Sequence, residues 1–279
     1  MYKGVLAAVN EHVNSESSAR YALALAKACN AKIIICFIAG KDMPQSCCSR
    51  AEDAVARLFN EAKAAGIPAE SLIKTGDPVE EIAGIARREG INIVFASTRR
   101  EDVERRFYAG TLARRLSLDL PCSVALVRSV HMGRLHPGRI LVPLKARIAH
   151  VKERAYFAGK LAEGFHSRVV VFHAPKPITG FFHGEIHLKP VEWEERVPAD
   201  VSAFMGQLRK YKVAFESKLS PGAASKGITL EAAAKRHDLI IMGASERSMP
   251  ASFLKGNPVE DVLRATPCNL IILKARHGN

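Results

Sequence analysis

Short apolar runs alternate along the chain with segments whose apolar residues recur at helical spacing. The first run, Gly4–Val9, is continuous and apolar, which is typical of a strand buried on both faces of a parallel sheet. The next segment carries an apolar stripe through Tyr21 and Leu25, and we predict a helix capped by Ser15. The same alternation predicts strands at 31–38, 70–74, 91–96 and 122–127, and helices at 50–65, 78–88 and 110–118.

A second copy of this pattern follows the linker at 128–138. The run Arg139–Leu144 matches Gly4–Val9 at an offset of 135 (139 − 4), and the run 169–172 matches 34–37 at the same offset. An offset that is kept over tens of residues indicates internal duplication. Alternating strands and helices in each copy predict an α/β protein with parallel sheets and helices on both faces.

The second copy is longer than the first. Gly222 matches Gly76 at an offset of 146, so the second copy carries 11 additional residues (146 − 135), which we assign to an insertion at about 175–193. We therefore predict two domains, at 1–130 and 137–279, each of the usual domain size.

The composition is that of an ordinary globular protein with a basic surface. The chain is 48% hydrophobic and 25% charged, and 41 Lys and Arg against 28 Asp and Glu leave a net charge of +13. This charge favours an anionic partner, such as a nucleotide, nucleic acid or acidic lipid. The basic residues are spread along the chain, so an ordinary basic surface is the simpler explanation.

The sequence shows neither a membrane span nor a secretion signal. No apolar run approaches the roughly 18 residues of a transmembrane helix. The N-terminus enters a strand-like run directly, without the apolar stretch and cleavage site of a signal peptide. We therefore expect a cytoplasmic protein.

The cysteines and histidines do not form a metal motif. Cys47 and Cys48 lie in a segment that we predict to be a polar loop, and no CxxC pair is present. His183 and His187 are four residues apart but flank Gly184, which argues against a metal-binding helix. No metal is predicted. Three other cysteines sit in or beside apolar runs and are expected to be buried, reduced thiols: Cys36, Cys122 and Cys268.

One stretch in each copy has the order strand, loop, glycine and helix that suits an anion site. In the second copy Gly243 ends an apolar run and Gly256 with Asn257 opens the next helix; in the first copy Gly110 with Thr111 opens it. A glycine lets the backbone approach a ligand closely, and a helix start offers free N–H groups and a positive dipole end. Gly110–Thr111 and Gly256–Asn257 can equally be a loop glycine and a helix cap.

Five stretches carry a more specific pattern, at residues 2–10, 19–26, 75–82, 238–243 and 265–268. Together they resemble the universal stress protein family in a tandem two-domain form. The resemblance implies an adenine nucleotide alpha hydrolase-like fold, with a doubly wound five-stranded parallel sheet of order 3-2-1-4-5 in each half. It also implies a stress-response role and pairing through the fifth strands.

The resemblance also implies a nucleotide site, from which this chain departs. Family members that bind ATP have a loop of the form Gly, two residues, Gly, nine residues, Gly-Ser/Thr/Asn, and an Asp at the end of the first strand. In the second copy the middle glycine is Glu246, and in the first copy the first two glycines are Ser97 and Arg100. Asn10 and Lys145 replace the first-strand Asp.

These departures change the charge that a phosphate would meet. A Glu246 carboxylate at ~5 Å from a phosphate would repel it by roughly 3 kcal/mol per charge. Arg100 has the opposite sign and a forked guanidinium that can bind phosphate. The predicted nucleotide-binding residues are Gly243, Ala244, Gly256, Asn257, Ser97, Arg100, Gly110, Thr111 and Asn10.

We expect a non-catalytic stress-response module with a degenerate adenine-nucleotide site for ATP, ADP or AMP. The alternative is a partner-binding regulatory protein of the same fold that has lost its nucleotide, with Phe181, Phe182 and Trp193 of the insertion and the basic loop as contacts. An ATPase or phosphotransferase lacks a positioned acid for a metal and a nucleophile paired with a base.

The partners follow from the same pattern. The edge strands Ser123–Val127 and Asn269–Leu273 can pair with each other into an internal pseudo-dimer, and two chains can still associate as a homodimer. The arginines near 99–115 form a charge run, which is ordinarily a solvated loop and helix face, so nucleic acid is not expected as a partner.

Overall fold

The computed structural model describes residues 1–98, 112–133, 136–174, 197–219, 224–244 and 258–277. In the first half, strands and helices alternate as the apolar pattern predicts. Its elements are β1 Gly4–Val9, α1 Val13–Cys29, β2 Lys32–Ala39, α2 Gln45–Ala64, β3 Ala69–Thr75, α3 Pro78–Arg88, β4 Ile93–Ser97, α4 Leu112–Asp119 and β5 Ser123–Arg128.

The second half repeats this order. Its elements are β6 Arg139–Leu144, α5 Val151–Phe165, β7 Arg168–His173, α6 Ala199–Lys210, β8 Phe215–Leu219, α7 Ala224–Ala234, β9 Leu239–Gly243, α8 Pro258–Ala265 and β10 Asn269–Lys274. None of the helices in the described part of the chain combines the length and apolar character that a membrane crossing needs.

Within the described residues, ten strands form one sheet in the order β3-β2-β1-β4-β5-β10-β9-β6-β7-β8. Neighbours within each half are parallel, so each half has the predicted 3-2-1-4-5 order. β5 and β10 pair antiparallel, with Leu126 opposite Ile272, which confirms the internal pseudo-dimer. Because this central pair is antiparallel, the strands of the two halves have their carboxyl ends at opposite edges of the sheet.

Apolar side chains fill the space on both faces of the sheet, because the continuous apolar runs send successive side chains to opposite faces. One face carries α1, α2, α5 and α6, which pack on residues such as Val5 and Phe37. The other carries α3, α4, α7 and α8, which pack on residues such as Leu6 and Val94. Each layer includes residues from both halves, so the halves share one core on each face.

The strand register corrects the predicted repeat offset. Ile33 pairs with Val5, and Val169 pairs with Ile140, so Val169 is the equivalent of Ile33 at an offset of 136 (169 − 33). The predicted offset of 135 therefore holds for the first strand of each half and is wrong from the second strand onward. The buried positions of α1 recur in α5 at the same offset of 136, which places one extra residue in the loop after β6.

The third strands set the size of the second insertion. Ala69 pairs with Ile33, and Phe215 pairs with Val169, which gives an offset of 146 (215 − 69). Ten residues (146 − 136) are therefore inserted between β7 and β8, and not the 11 that the sequence comparison predicts. The segment 175–193, to which we assign the insertion, lies outside the described residues.

Two local predictions are wrong because each helix begins earlier than its pattern indicates. The side chain of Asn10 accepts a hydrogen bond from the backbone N–H of His12 at 3.0 Å, and α1 already begins at Val13. Ser15 is therefore inside the first turn and not a cap.

Pro44 immediately precedes α2, which begins at Gln45, so the Cys47–Cys48 pair is helical and not in a loop. The three cysteines that we expected to be buried free thiols are so: Cys36, Cys122 and Cys268.

A buried carboxylate joins the two halves. Glu153 of α5 is 0% exposed. Its Oε1 accepts hydrogen bonds from Tyr2 Oη at 2.7 Å and Ser123 Oγ at 2.6 Å, and its Oε2 accepts them from the backbone N–H groups of Arg276 at 3.0 Å and His277 at 2.6 Å. Burial raises the pKa of Tyr2 well above its usual range, and the adjacent carboxylate adds to this effect. One side chain thus ties β1 and β5 of the first half to α5 and the C-terminal segment.

A buried histidine makes the fold sensitive to acid. His237, in the turn between α7 and β9, is 4% exposed. Burial lowers the pKa of His237 below its ordinary 6.5, and the positive charge of Arg139 lowers it further. The unfolded chain therefore takes up a proton at this position more readily than the folded chain, so stability is complete above about pH 6.5 and is lost as the pH falls towards the lower folded-state pKa.

We therefore expect His237→Ile to flatten the acid side of the stability profile. Between about pH 6.5 and the lower pKa of the folded state, the wild-type free energy of unfolding should fall relative to the variant by roughly 1.4 kcal/mol per pH unit. Urea unfolding of both proteins at about pH 7.5 and about pH 5 measures the difference. Parallel profiles for the two proteins would show that His237 is not the acid-sensitive group.

Candidate functional site

The strand order places one crevice in each half, at the point where the sheet order reverses. In an open parallel sheet, ligands bind at this point, outside the carboxyl ends of the strands. In the first half, β1 and β4 are neighbours and end at Val9 and Ser97. In the second half, β6 and β9 are neighbours and end at Leu144 and Gly243. The two crevices open at opposite edges of the ten-stranded sheet.

Asn10 forms a rigid corner of the first crevice. Its Oδ1 accepts the N–H of His12 at 3.0 Å, and its backbone N–H and carbonyl both lie 3.0 Å from Ser15 Oγ. The side chain is therefore engaged in turning the chain into α1. At the place of the first-strand Asp, the first half therefore has a side chain without charge.

Two small hydroxyl residues, Ser97 and Ser18, belong to the described elements beside the first crevice. Ser97 is half-buried at the end of β4, and the next residue stays in the sheet because the Thr98 N–H donates to the Val127 carbonyl at 2.9 Å. Ser18, in the part of α1 that packs on β1 and β4, is fully buried, and its Oγ has no hydrogen-bond partner among the described residues. No cation or bulky side chain stands at either of these two positions.

An arginine occupies the second crevice. A Cβ atom added to Gly243 would lie 2.1 Å from Arg154 Nη1 and 2.3 Å from its Cζ, so the guanidinium lies directly on the Gly243 Cα. Real Cβ contacts are essentially never shorter than 3.0 Å, so a larger residue at position 243 would require the guanidinium of Arg154 to move aside. The remaining cavity measures about 10 Å³, room for about one water. Arg154 shares its lining with Val142, Pro143, Leu144, Phe204, Ile241, Met242, Gly243 and Leu273.

The repeat gives the reason for Gly243. At the helix offset of 136 Arg154 corresponds to Ser18, and at the later offset of 146 Gly243 corresponds to Ser97. The first half thus pairs two serines where the second half pairs a large cation with a glycine. The guanidinium of Arg154 lies over Gly243, and the part of Gly243 in nucleotide binding stays a prediction. Arg154 is not among the residues predicted from the sequence; a cation within the otherwise buried stripe of α5 is the signal that could have identified it.

Two further residues of the second half bear on the site prediction. The Ala244 N–H donates to the Leu273 carbonyl at 2.8 Å, so this amide is already used by the sheet. Lys145 follows β6 and is exposed, at the place of the first-strand Asp of family members that bind ATP. Five of the predicted nucleotide-binding residues, together with Glu246, lie outside the described residues, and their part in binding stays a prediction: Arg100, Gly110, Thr111, Gly256 and Asn257.

One arginine of the basic segment has a structural partner. Arg115 Nη1 and Nη2 each lie 3.0 Å from a carboxylate oxygen of Asp77. Asp77 caps α3 by accepting the N–H groups of Val79 and Glu80, and Arg115 holds the pKa of Asp77 below its usual value. This pair joins α4 to the start of α3. The aromatic residues of the insertion, Phe181, Phe182 and Trp193, lie outside the described residues.

The comparisons with known proteins agree with this architecture. The family model described as Universal stress protein family matches residues 1–128 and again 138–274. A universal stress protein from Archaeoglobus fulgidus DSM 4304 superimposes with a TM-score of 0.66 at 18% identity, over 99% of this chain and 97% of that one. A functionally unknown protein from Pseudomonas aeruginosa PAO1 gives a TM-score of 0.61 at 14% identity, over 98% and 93% of the two chains.

At these identities the structural likeness shows a shared fold. A universal stress protein in complex with cAMP covers 47% of this chain with a TM-score of 0.38, too loose a likeness to bear on the ligand. No curated protein matches the chain. The two family matches, one on each half, show that the chain belongs to the universal stress protein family as a tandem of two family domains.

Proposed function

We propose that the protein is a non-catalytic stress-response module that binds a single adenine nucleotide, ATP, ADP or AMP, in the crevice of its first half. The second half would serve as the partner that completes the pseudo-dimer. We place the two domains at 1–130 and 137–279, on either side of a short linker.

The position of Arg154 is the observation that carries this proposal. A guanidinium lying on the Gly243 Cα takes the space that a nucleotide would need at the end of β9. The cavity of about 10 Å³ that remains cannot hold a nucleotide, since sites for small molecules measure roughly 300–1,000 Å³. The first crevice has Ser18 and Ser97 in these two places, and Asn10 keeps a hydrogen-bonding side chain where family members that bind ATP have an Asp.

Calorimetric titration of the full-length protein with ATP, ADP and AMP tests the proposal. We expect one nucleotide per chain, with a dissociation constant weakened to roughly the micromolar-to-millimolar range by the missing glycines. Arg154→Ser should leave this affinity unchanged, because Arg154 lies at the other edge of the sheet. Absence of heat and of any thermal shift at about 1 mM nucleotide would exclude nucleotide binding by this chain.

A further inference from the structure

The second half contains another cavity, whose lining residues differ from those described for the two crevices. It measures about 390 Å³ and is lined by His131, Arg236, His237, Asp238, Pro267 and Cys268, with Ala232 and Ala233 of α7. Arg236, His237 and Asp238 precede β9, and Pro267 and Cys268 precede β10, while His131 follows β5, which runs antiparallel to β10. The cavity therefore lies at the amino ends of β9 and β10, opposite Gly243. Its volume is within the range of sites that hold small molecules.

His237 is the least satisfied polar group of this cavity. The residue is 4% exposed, and neither ring nitrogen has a hydrogen-bond partner among the described residues. The Oε1 of Glu231 lies 4.0 Å from His237 Nε2, beyond hydrogen-bond distance. Glu231 is itself paired with Lys218. Buried polar groups in folded proteins are nearly always hydrogen-bonded, so a buried imidazole without a protein partner suggests a partner from solution.

The equivalent turn of the first half carries a glycine and an apolar residue in place of Arg236 and His237. At the offset of 146, Arg236 corresponds to Gly90 and His237 to Ile91 (236 − 90 = 237 − 91 = 146). Gly90 has a φ of 61°, a left-handed conformation that glycine adopts without strain, and Ile91 is buried. Arg236 takes the same left-handed conformation with a φ of 51°, where a side chain is disfavoured.

The second half therefore replaces a glycine and a core isoleucine by two residues that suit the fold less well. Both replacements line the same cavity. Residues that break local structural rules together at one cavity are typical of a binding site, because the contacts with a ligand offset what the fold loses.

The lining carries one cation, Arg236, and one carboxylate, Asp238. The Oδ2 of Asp238 already accepts the backbone N–H groups of Gly138 and Arg139 at 2.9 and 3.0 Å, so Arg236 is the lining charge that a ligand from solution would meet. Arg236 is exposed at the cavity, where its guanidinium can meet a ligand from solution. A neutral imidazole adds one N–H donor and one acceptor nitrogen.

We propose that this cavity binds a small organic anion, with a phosphate or carboxylate group against Arg236 and a hydrogen-bonding group against His237. The site is separate from the nucleotide crevice, and the first half lacks it because Gly90 and Ile91 replace both residues.

The test is a titration of the full-length protein with inorganic phosphate and, in a separate arm, with succinate. Sodium chloride at matched ionic strength is the control, and the readout is the NMR resonances of the His237 and His131 rings. We expect a saturable shift of the His237 resonances with one of the two anions, which identifies the group that the site prefers. Arg236→Gly should weaken that binding about tenfold, the loss of one charge-assisted contact. Shifts that follow ionic strength alone, or binding that Arg236→Gly does not weaken, would overturn the proposal.

A double variant that copies the first half separates binding from folding. Arg236→Gly combined with His237→Ile should raise the midpoint of thermal unfolding and abolish the anion-dependent thermal stabilisation. A double variant that is still stabilised by the anion as wild type is would contradict the site. A double variant that is less stable than wild type would also contradict the site, because Arg236 and His237 would then stabilise the fold.

Discussion

Replacing Glu153 by alanine is expected to lower the free energy of unfolding by roughly 3 kcal/mol or more. The carboxylate is fully buried and accepts hydrogen bonds from Tyr2, Ser123, Arg276 and His277. Its removal leaves buried donors from both halves without an acceptor, and each unsatisfied donor destabilises the fold by about 1–3 kcal/mol. Urea unfolding followed by circular dichroism measures the loss.

Two further variants separate the hydrogen bonds of Glu153 from the volume of its side chain. Glu153→Gln keeps the shape but turns an N–H₂ group towards donors, so we expect about half the effect of alanine or more. Glu163→Gln is the matched control on the same helix, because Glu163 is exposed and pairs with Lys160 at 2.7 Å. This control should change stability by less than about 0.5 kcal/mol. A loss below about 1 kcal/mol for Glu153→Ala would show that the carboxylate does not hold the halves together.

The second large effect concerns the contact between Arg154 and Gly243. Gly243→Ser is expected to destabilise the protein by about 1 kcal/mol, because the new Cβ would displace the guanidinium of Arg154, the far end of a flexible side chain, from its place. In an Arg154→Ser background the same substitution reproduces the serine pair of the first half and should be nearly neutral. The double-mutant cycle should therefore give an interaction energy of about 1 kcal/mol or more.

Gly84→Ser is the control for this cycle. Gly84 lies in α3, and an added Cβ there would meet nothing within 4 Å. A serine at this position should change stability equally in the wild-type and Arg154→Ser backgrounds. If Gly243→Ser also has the same effect in both backgrounds, Arg154 does not fill the crevice.

The architecture could be predicted from the sequence because its signals are local and repeated. Continuous apolar runs such as Gly4–Val9 and Asn269–Lys274 have few alternatives to a buried parallel strand, and both are strands. The duplication predicts a fifth strand at the edge of each half that can pair with the other, and these two strands, β5 and β10, do pair. The start of α1 could not be predicted from the apolar pattern, because the turn at Asn10 depends on a side-chain hydrogen bond that this pattern does not show.

The site could not be predicted in the same way, because neighbouring residues of α5 have roles that only the tertiary structure separates. Glu153 and Arg154 are both charged, and charged residues are ordinarily solvated. One is buried at the junction of the halves and the other lies over Gly243. The single extra residue before α5 also shifted the repeat comparison by one position, so Arg154 was not matched with Ser18. Gly243 fits a phosphate contact by its place in the sequence, and only the structure shows that the guanidinium of Arg154 lies over it.

We propose that the first crevice binds one nucleotide and that Arg154, which lies over Gly243, closes the second crevice. The most direct measurement counts adenine nucleotides per chain by native mass spectrometry, for wild type and for a variant that carries Ser18→Arg and Ser97→Gly. This variant gives the first half the same pair of residues that closes the second half. We predict one nucleotide on the wild type and none on the folded variant. Two nucleotides on the wild type, or one that persists on the variant, would contradict binding of a single nucleotide in the first crevice.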